Sequence, residues 1–169
     1  ISTYHQREFS NEPDTDWSLA ANRKWAESAR AKWKKVPGSI PMEIPVAVAG
    51  EEVFADRKTR ESIDPSQINE QVCVASHAMA NDDDVLRAVA AAKTDPDWWR
   101  SKSHQERHQV LSRVAMELRR ARGDLIGAAA ANTGKVFTEA DPEVSEAVDF
   151  AEFYPYSVQA FANLENVRC

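Results

Sequence analysis

Apolar residues follow a helical spacing early in the chain. Three tryptophans recur every eight residues, at Trp17, Trp25 and Trp33. On a helix these positions share one stripe. The spacing therefore predicts a helix over residues 17–35, which Asp14 or Asp16 would cap. The Val36-Pro37-Gly38 sequence that follows is a stop signal for that helix.

The pattern changes to a period of two between residues 44 and 76. Residues 44–48 and 52–54 flank Ala49-Gly50-Glu51, which is typical of a β-hairpin. Residues 61–64 and 72–76 form a second pair of alternating segments. Pro45 indicates an edge strand, because proline has no amide to donate to a sheet. We expect a small antiparallel sheet that is too little to enclose a core by itself.

Helical spacing returns after residue 80, with start and stop signals. Asn81 or Asp82 is suited to cap a helix that runs to about Lys93. Ser103 and Glu106 form a capping-box pattern for a helix over residues 104–122, whose predicted apolar stripe is Val110, Leu111, Val114 and Leu118. A short helix over residues 124–132 is closed by Gly134. The last helix is predicted to begin at Asp141-Pro142 and to kink or end at Pro155.

These elements predict a mainly α segment with a small antiparallel β-hairpin sheet. Residues 1–43 form an N-terminal arm and the tryptophan-rich helix, with residues 1–13 showing no periodicity. Residues 44–80 form the small antiparallel β region, and residues 81–169 form a helical part.

Composition excludes several function classes. The formal net charge of −6 disfavours nucleic acid as a partner, because phosphate contacts need a basic surface. No apolar run approaches the roughly 20 residues of a membrane span. Only five of the 169 residues are glycine, so a complete nucleotide-binding domain with phosphate loops is not expected. Cys73 and Cys169 form no disulfide framework, which favours a reducing, cytoplasmic location. Ile1 is not a natural initiator, and we expect the N-terminus to be a cut.

Two sequence motifs match functional sites only in part. Gly134-Lys135 resembles the end of a phosphate loop, but Ala129 stands where that loop needs glycine and Val136 where it needs Ser or Thr. A helix stop with an exposed lysine is the better interpretation. His104 and His108 have the spacing of zinc ligands, but the catalytic glutamate is misplaced and no third ligand is evident, which favours surface histidines.

Cysteine and carboxylate patterns also leave alternatives open. Cys73 is interpreted as a small buried apolar residue; a nucleophile would need a base, and His77 lies on the same side of the predicted strand. Cys169, the last residue, is an improbable nucleophile. The run from Asp82 to Asp84 is explained by a helix start and lacks a calcium-loop pattern. The spacing of Glu143, Glu146 and Asp149 permits acid–base chemistry but is also that of a solvated acidic face.

Three stretches in order resemble one enzyme family. A tryptophan, a Glu-Arg pair that opens a helix and a Gly-Lys turn are similar to aldehyde dehydrogenases in general; here they are Trp99, Glu106-Arg107 with residues 111–115, and Gly134-Lys135. Residues 9–17 with 22–24, and residues 139–141, 146–150 and 153–154, resemble the branch that oxidises L-glutamate γ-semialdehyde, the 1-pyrroline-5-carboxylate dehydrogenases. That branch includes stand-alone enzymes and the second half of the bifunctional proline utilisation protein. The resemblance covers nearly the whole chain.

The resemblance implies an α/β parent enzyme of the aldehyde dehydrogenase fold, much longer than this chain, that uses NAD in proline breakdown. In that family a cysteine thiolate attacks the aldehyde and NAD accepts hydride. The nucleophile, Trp-Asn-Phe-Pro and Gly-rich NAD motifs are absent here, and neither cysteine matches the nucleophile. We therefore expect an N-terminal fragment with no catalytic residue, no NAD bound and no activity alone, in which residues 81–169 belong to an incomplete NAD-binding domain.

Two substrate-binding positions carry over from the resemblance. In this branch the glutamate of the Glu-Ala-x-Asp-Phe stretch faces the substrate tunnel, which implies that Glu146 receives the substrate's amino group and that Phe150 lines the tunnel. A merely solvated Glu146 is the alternative. The expected partners are the remainder of the dehydrogenase chain and, through exposed apolar surface, further copies in a homo-oligomer. A different hypothesis is a stand-alone helical interaction module that docks a partner through its tryptophan stripe.

Overall fold

The computed structural model describes residues 9–162 and 164. Five helices follow in chain order: α1 (Ala20–Trp33), α2 (Asp82–Thr94), α3 (His104–Arg120), α4 (Arg122–Thr133) and α5 (Phe137–Ala162). Five strands lie between α1 and α2: β1 (Met42–Ile44), β2 (Val46–Val48), β3 (Glu51–Val53), β4 (Thr59–Ile63) and β5 (Cys73–Ala78). Short 3-10 segments span Pro65–Glu70 and Trp99–Ser101. The predicted mainly helical segment with small sheets is confirmed, and none of the helices described is long and apolar enough to cross a membrane.

Both predicted antiparallel pairs are present. Strands β2 and β3 form a hairpin through Ala49 and Gly50, whose φ angles of 54° and 83° give a tight turn. Strands β4 and β5 pair antiparallel, with an irregularity at Ser62 and Ile63. The structure adds a pairing that the sequence did not predict, since β1 lies parallel to β5. Pro45 separates β1 from β2, and these two strands enter different sheets.

The predicted helix caps of α2, α3 and α4 are confirmed. Asn81 and Asp84 form a reciprocal capping box at α2, and Ser103 and Glu106 form another at α3. Gly134 closes α4 in the left-handed conformation with a φ of 72°. These caps satisfy amide and carbonyl groups that a helix end otherwise leaves unpaired.

The predicted start of α1 was wrong. The helix begins at Ala20, and its N-cap Leu19 makes no side-chain hydrogen bond. The Asp16 carboxylate instead accepts hydrogen bonds from the amide (2.9 Å) and hydroxyl (2.6 Å) of Ser18. Asp16 therefore stabilises the turn before the helix, because its side chain is satisfied locally.

The predicted start of α5 was also wrong, and of the two outcomes predicted at Pro155, an end of the helix is not found. The helix begins at Phe137, before Asp141, and it continues through Pro155 to Ala162. Each proline inside a helix removes one backbone hydrogen bond. Pro155 is buried and α3 packs against α5. Burial against the neighbouring helix offsets the lost bond and keeps the segment helical.

The core sits between α4 and α5. Its buried cluster is Ile126, Ala140 and Val144, against which Ala129 and Phe137 pack. In α3 the fully buried residue is Ala115, whereas Val114 of the predicted stripe is 44% exposed. Small residues at the helix contacts let the backbones approach closely.

The tryptophan stripe of α1 packs on glycines of α4. The rings of Trp25 and Trp33 lie against Gly123 and Gly127, respectively. The Trp33 indole also donates a hydrogen bond of 3.0 Å to Asp124. These two tryptophans are therefore used within the chain.

Replacing Gly127 by alanine tests this contact. A Cβ at Gly127 would overlap the Trp33 ring, whereas a Cβ at Gly123 would lie 3.1 Å from Trp25. We expect Gly127→Ala to lower the free energy of unfolding by about 1–3 kcal/mol. The matched Gly123→Ala change should be nearly neutral, because alanine gains about 1 kcal/mol of helix propensity. Urea denaturation of both variants checks this, and equal losses would contradict it.

An ion pair joins the β region to α2. The Arg57 guanidinium donates to both carboxylate oxygens of Asp84, at 2.9 and 3.0 Å, and the Asp84 side chain is 2% exposed. The hydrogen bonds that Arg57 and the Asn81 amide donate to the Asp84 carboxylate hold the pKa of Asp84 below its ordinary value. The charged form of Asp84 therefore stabilises the folded chain.

The depressed pKa of Asp84 gives a pH dependence of defined sign. The stabilisation is complete above the unfolded pKa of about 3.9 and is lost as the pH falls through the lower folded value. Asp84→Asn should therefore unfold at a lower temperature than the wild type at neutral pH, and the gap should narrow below about pH 4. Thermal unfolding followed across pH measures it. The control is Asp83→Asn, because Asp83 is exposed on the same turn; its unfolding temperature should fall by less. If the difference in unfolding temperature between Asp84→Asn and the wild type did not depend on pH, the assignment would be refuted.

Candidate substrate-facing helix

Helix α5 presents three different sides. Since successive residues are about 100° apart on a helix, positions four apart share a side. One side is buried in the core and holds Ala140, Val144, Val148 and Pro155. The next holds Asp141, Ser145 and Asp149, which bind the N-terminal segment and α4. The third side holds Glu146, Phe150 and Tyr154, and all three residues are exposed.

The two substrate-binding residues predicted from the sequence lie together on the third side. Glu146 and Phe150 are one helical turn apart, and Phe150 is 49% exposed. The Phe150 ring lies 5.6 Å from the ring of Tyr154, which in turn contacts Phe153 at 5.9 Å. Within residues 9–162, no hydrogen bond or ion pair involves the Glu146 carboxylate. This side therefore offers one carboxylate beside an aromatic surface.

The neighbouring side of α5 holds the segment Phe9–Asp16, which we call the strap. The Asn11 side chain and the Glu12 amide each donate a 2.7 Å hydrogen bond to Asp149. The Thr15 amide (2.6 Å) and hydroxyl (2.8 Å) donate to the two oxygens of Asp141. The strap is therefore bound through carboxylates spaced two turns apart on α5.

Two arginines complete this polar network. Arg122, at the start of α4, donates to Asp141 at 2.8 Å and also to the Ser145 hydroxyl. The Asp141 side chain is fully buried and that of Arg122 is 14% exposed. A carboxylate buried to this degree is tolerated because it is paired and hydrogen-bonded.

Arg119 links the strap to α5 from the side of α3. It donates to Glu12 at 2.9 Å and to Glu152 at 3.3 Å. Burial alone would lower the pKa of Arg119. The hydrogen bonds to Glu12 and Glu152 and the attraction of their charges have the larger combined effect, so the pKa of Arg119 is raised. Arg119 therefore stays charged and bridges the two elements.

Sequence reasoning missed this network. It interpreted residues 1–13 as an arm without periodicity, and it considered Asp149 for acid–base chemistry or as part of a solvated acidic face. The available signal was the density of short polar side chains in the strap, namely Ser10, Asn11, Asp14, Thr15 and Asp16. Such side chains favour local and capping hydrogen bonds, but the sequence does not say which distant carboxylates receive them.

The other candidate residues do not gather into a second site. The Cys73 thiol lies in β5 and donates to the Ala75 carbonyl at 3.4 Å, and His77 is further along the same strand. His104 is exposed, whereas His108 lies 3.9 Å from Glu152. Glu143 pairs with Lys135. The spaced acids of α5 therefore have three separate environments, and Cys169 lies outside the described residues.

The five glycines show whether this chain fits a dinucleotide. Three have positive φ angles and lie in separate turns, at Gly38, Gly50 and Gly134. The other two, Gly123 and Gly127, are covered by tryptophan rings. A dinucleotide-phosphate turn needs several glycines together at a helix start. The described residues therefore contain no glycine-rich phosphate turn.

Comparison with known proteins defines the class. The model of the aldehyde dehydrogenase family matches residues 53–168, and this chain belongs to that family. The 1-pyrroline-5-carboxylate dehydrogenase of Staphylococcus saprophyticus is 32% identical over 156 residues, which are 92% of this chain and 29% of the relative. The chain thus spans under a third of the length of that curated relative.

Solved structures share the fold of this chain. Proline utilization A from Bdellovibrio bacteriovorus superposes with a TM-score of 0.82 at 26% identity, over 95% of this chain and 16% of that one. The 1-pyrroline-5-carboxylate dehydrogenase from Thermus with bound NAD gives a TM-score of 0.82 at 24% identity, over 96% of this chain and 31% of that one. The family and the aldehyde dehydrogenase fold predicted from the sequence are therefore confirmed.

Removing the cation that pairs with the buried Asp141 tests the role of the network. Arg122→Met should lower the free energy of unfolding by about 3–5 kcal/mol, because it leaves the Asp141 charge buried without its partner. The control is Arg120→Met on α3, whose guanidinium is 77% exposed and pairs with Glu117; this change should cost less than about 1 kcal/mol. Chemical denaturation measures the free energy of unfolding of both variants. An Arg122→Met variant as stable as the wild type would disprove the assignment.

Proposed function

We propose that this chain is the N-terminal portion of an NAD-dependent dehydrogenase that oxidises L-glutamate γ-semialdehyde to L-glutamate in proline breakdown, and that it is inactive alone. The observation that carries the proposal is the match of nearly the whole chain to curated relatives named 1-pyrroline-5-carboxylate dehydrogenase. The reaction removes two electrons from an aldehyde and adds the oxygen of water to give a carboxylate.

The chemistry of oxidation belongs to the remainder of the enzyme. NAD supplies the hydride acceptor in this proposal, and the described residues do not form its phosphate turn. A nucleophilic thiol needs a cationic or helix N-terminal setting, whereas Cys73 is in a strand with its thiol on a backbone carbonyl. The chain therefore contributes binding and packing to the reaction.

The third side of α5 supplies the substrate contact. L-Glutamate γ-semialdehyde carries an α-ammonium group at the end opposite its aldehyde. In this proposal the Glu146 carboxylate receives the ammonium through a charge-assisted hydrogen bond, and Phe150 lines the tunnel beside the carbon chain. The exposed position of both residues on one helical side supports this role.

The remaining exposed apolar surface is assigned to partners. Phe153, Tyr154 and Phe161 of α5 are 42%, 57% and 65% exposed. Exposed large apolar side chains along one helix favour a contact with other protein. We assign it to the remainder of the dehydrogenase chain, place the enzyme in the cytoplasm as a homo-oligomer, and expect the isolated chain to self-associate.

The substrate role of Glu146 is tested in the full-length dehydrogenase. Glu146→Gln should raise the KM for the semialdehyde by about 10–100-fold, because a hydrogen bond between charged groups contributes about 1.5–3 kcal/mol. The kcat and the KM for NAD should change little, since the lost interaction is equal in ground and transition states. NADH formation followed by absorbance measures all three constants.

Two controls accompany this assay. Glu143→Gln changes the acid one turn earlier, which pairs with Lys135, and should leave the KM for the semialdehyde unchanged. The 169-residue chain alone should form no NADH from the semialdehyde. Turnover by the chain alone would refute its inactivity, and equal KM values for the two variants would refute the role of Glu146.

A further inference from the structure

The part of α5 that carries Glu146 lies between two prolines. Pro142 and Pro155 both lie inside the helix. Neither has an amide hydrogen, so each interrupts the backbone hydrogen-bond ladder. Such positions are where helices bend. The direction in which Glu146 and Phe150 point therefore depends on contacts that hold residues 143–154 from outside the helix.

The strap makes these contacts at both ends of that part. Thr15 binds Asp141, directly before Pro142, through two hydrogen bonds. Asn11 binds Asp149, two turns further on, at 2.7 Å. The ring of Phe9 packs edge-on against Phe153 at 5.0 Å, close to the second proline. The contacts thus extend from one proline almost to the other.

The hydrogen bonds from the strap are made on the side of α5 next to the third side, which holds Glu146 and Phe150. Asp149, which binds the strap, directly precedes Phe150 and is therefore about 100° around the helix from that substrate-facing residue. Asp141 is fully buried and depends on the strap for two of its hydrogen bonds. Rotation of this part of α5 would break them and leave buried acceptors unpaired.

We propose that Asn11 and Thr15 are positioning residues, which fix the rotation of α5 and thereby the direction of Glu146 and Phe150 toward the substrate. They touch Asp149 and Asp141 and act on the substrate only through the helix. The inference rests on the proposed function for the substrate role of Glu146. It assigns the N-terminal strap a part in substrate affinity in addition to stability.

The experiment uses Asn11→Ala, Thr15→Val and their combination in the full-length dehydrogenase. The combined variant should raise the KM for the semialdehyde about tenfold, because a Glu146 carboxylate that points in another direction binds the substrate less tightly in the ground state. The kcat should stay within about twofold of the wild type, and the KM for NAD should not change. Thr15→Ser keeps the hydroxyl that Thr15→Val removes, and it should therefore have the wild-type KM for the semialdehyde. If the combined variant does not fold, Asn11→Ala is measured alone, since its hydrogen bond is exposed.

A matched control separates positioning from stability. Asp84→Asn weakens the ion pair between Arg57 and α2, away from α5, and should lower stability with no change in the KM for the semialdehyde. The proposal would be overturned if the strap variants lost stability, as Asp84→Asn does, but kept the wild-type KM for the semialdehyde. This outcome counts only if Glu146→Gln raises that KM.

Hydrogen exchange keeps this test independent of the proposed function. In the 169-residue chain, amides of residues 146–154 should exchange about tenfold faster in the combined variant, whereas those of α2 should not change. If Glu146→Gln leaves the KM unchanged, the proposed substrate role fails and exchange alone decides the positioning role. Unchanged exchange in residues 146–154 would overturn the positioning role in every case.

Discussion

The carboxylate of Asp141 is fully buried where the strap, α4 and α5 meet, and the arrangement of these three elements depends on it. A buried charge is tolerated only when its hydrogen-bonding capacity is used. Thr15 supplies two donors from the strap and Arg122 supplies one from α4. Each element is therefore held in the position at which its donors reach one carboxylate, and none can shift without leaving a buried acceptor unpaired.

Helix α5 is the element on which packing and proposed function converge. Its buried side, with Val144 and Val148, holds it in the core, and its polar side binds the strap. The third side remains for Glu146 and the aromatic residues. The helix does not follow a simple amphipathic pattern, because Phe150 and Phe153 are 49% and 42% exposed while Val144 and Val148 are buried.

The five glycines of the chain lie in turns or under tryptophan rings. Gly134 and Gly50 close turns with positive φ, and Gly123 and Gly127 make room for tryptophan rings. None is left for a phosphate turn. The tight contact of α1 with α4 uses Gly123 and Gly127, and in the proposed function the cofactor is bound by the remainder of the enzyme.

The sequence by itself determined the local features: the hairpin at Ala49-Gly50, a helix cap at Asn81 or Asp82, the capping box at Ser103, the stop at Gly134 and, through its resemblance to a family, the fold. These features depend on neighbouring residues, whose spacing the sequence displays directly. Only the tertiary structure decided that Thr15 binds Asp141, that Asn11 binds Asp149 and that α5 continues through Pro155. Those outcomes depend on burial and on partners more than a hundred residues away, and no local pattern records which distant donor meets which acceptor.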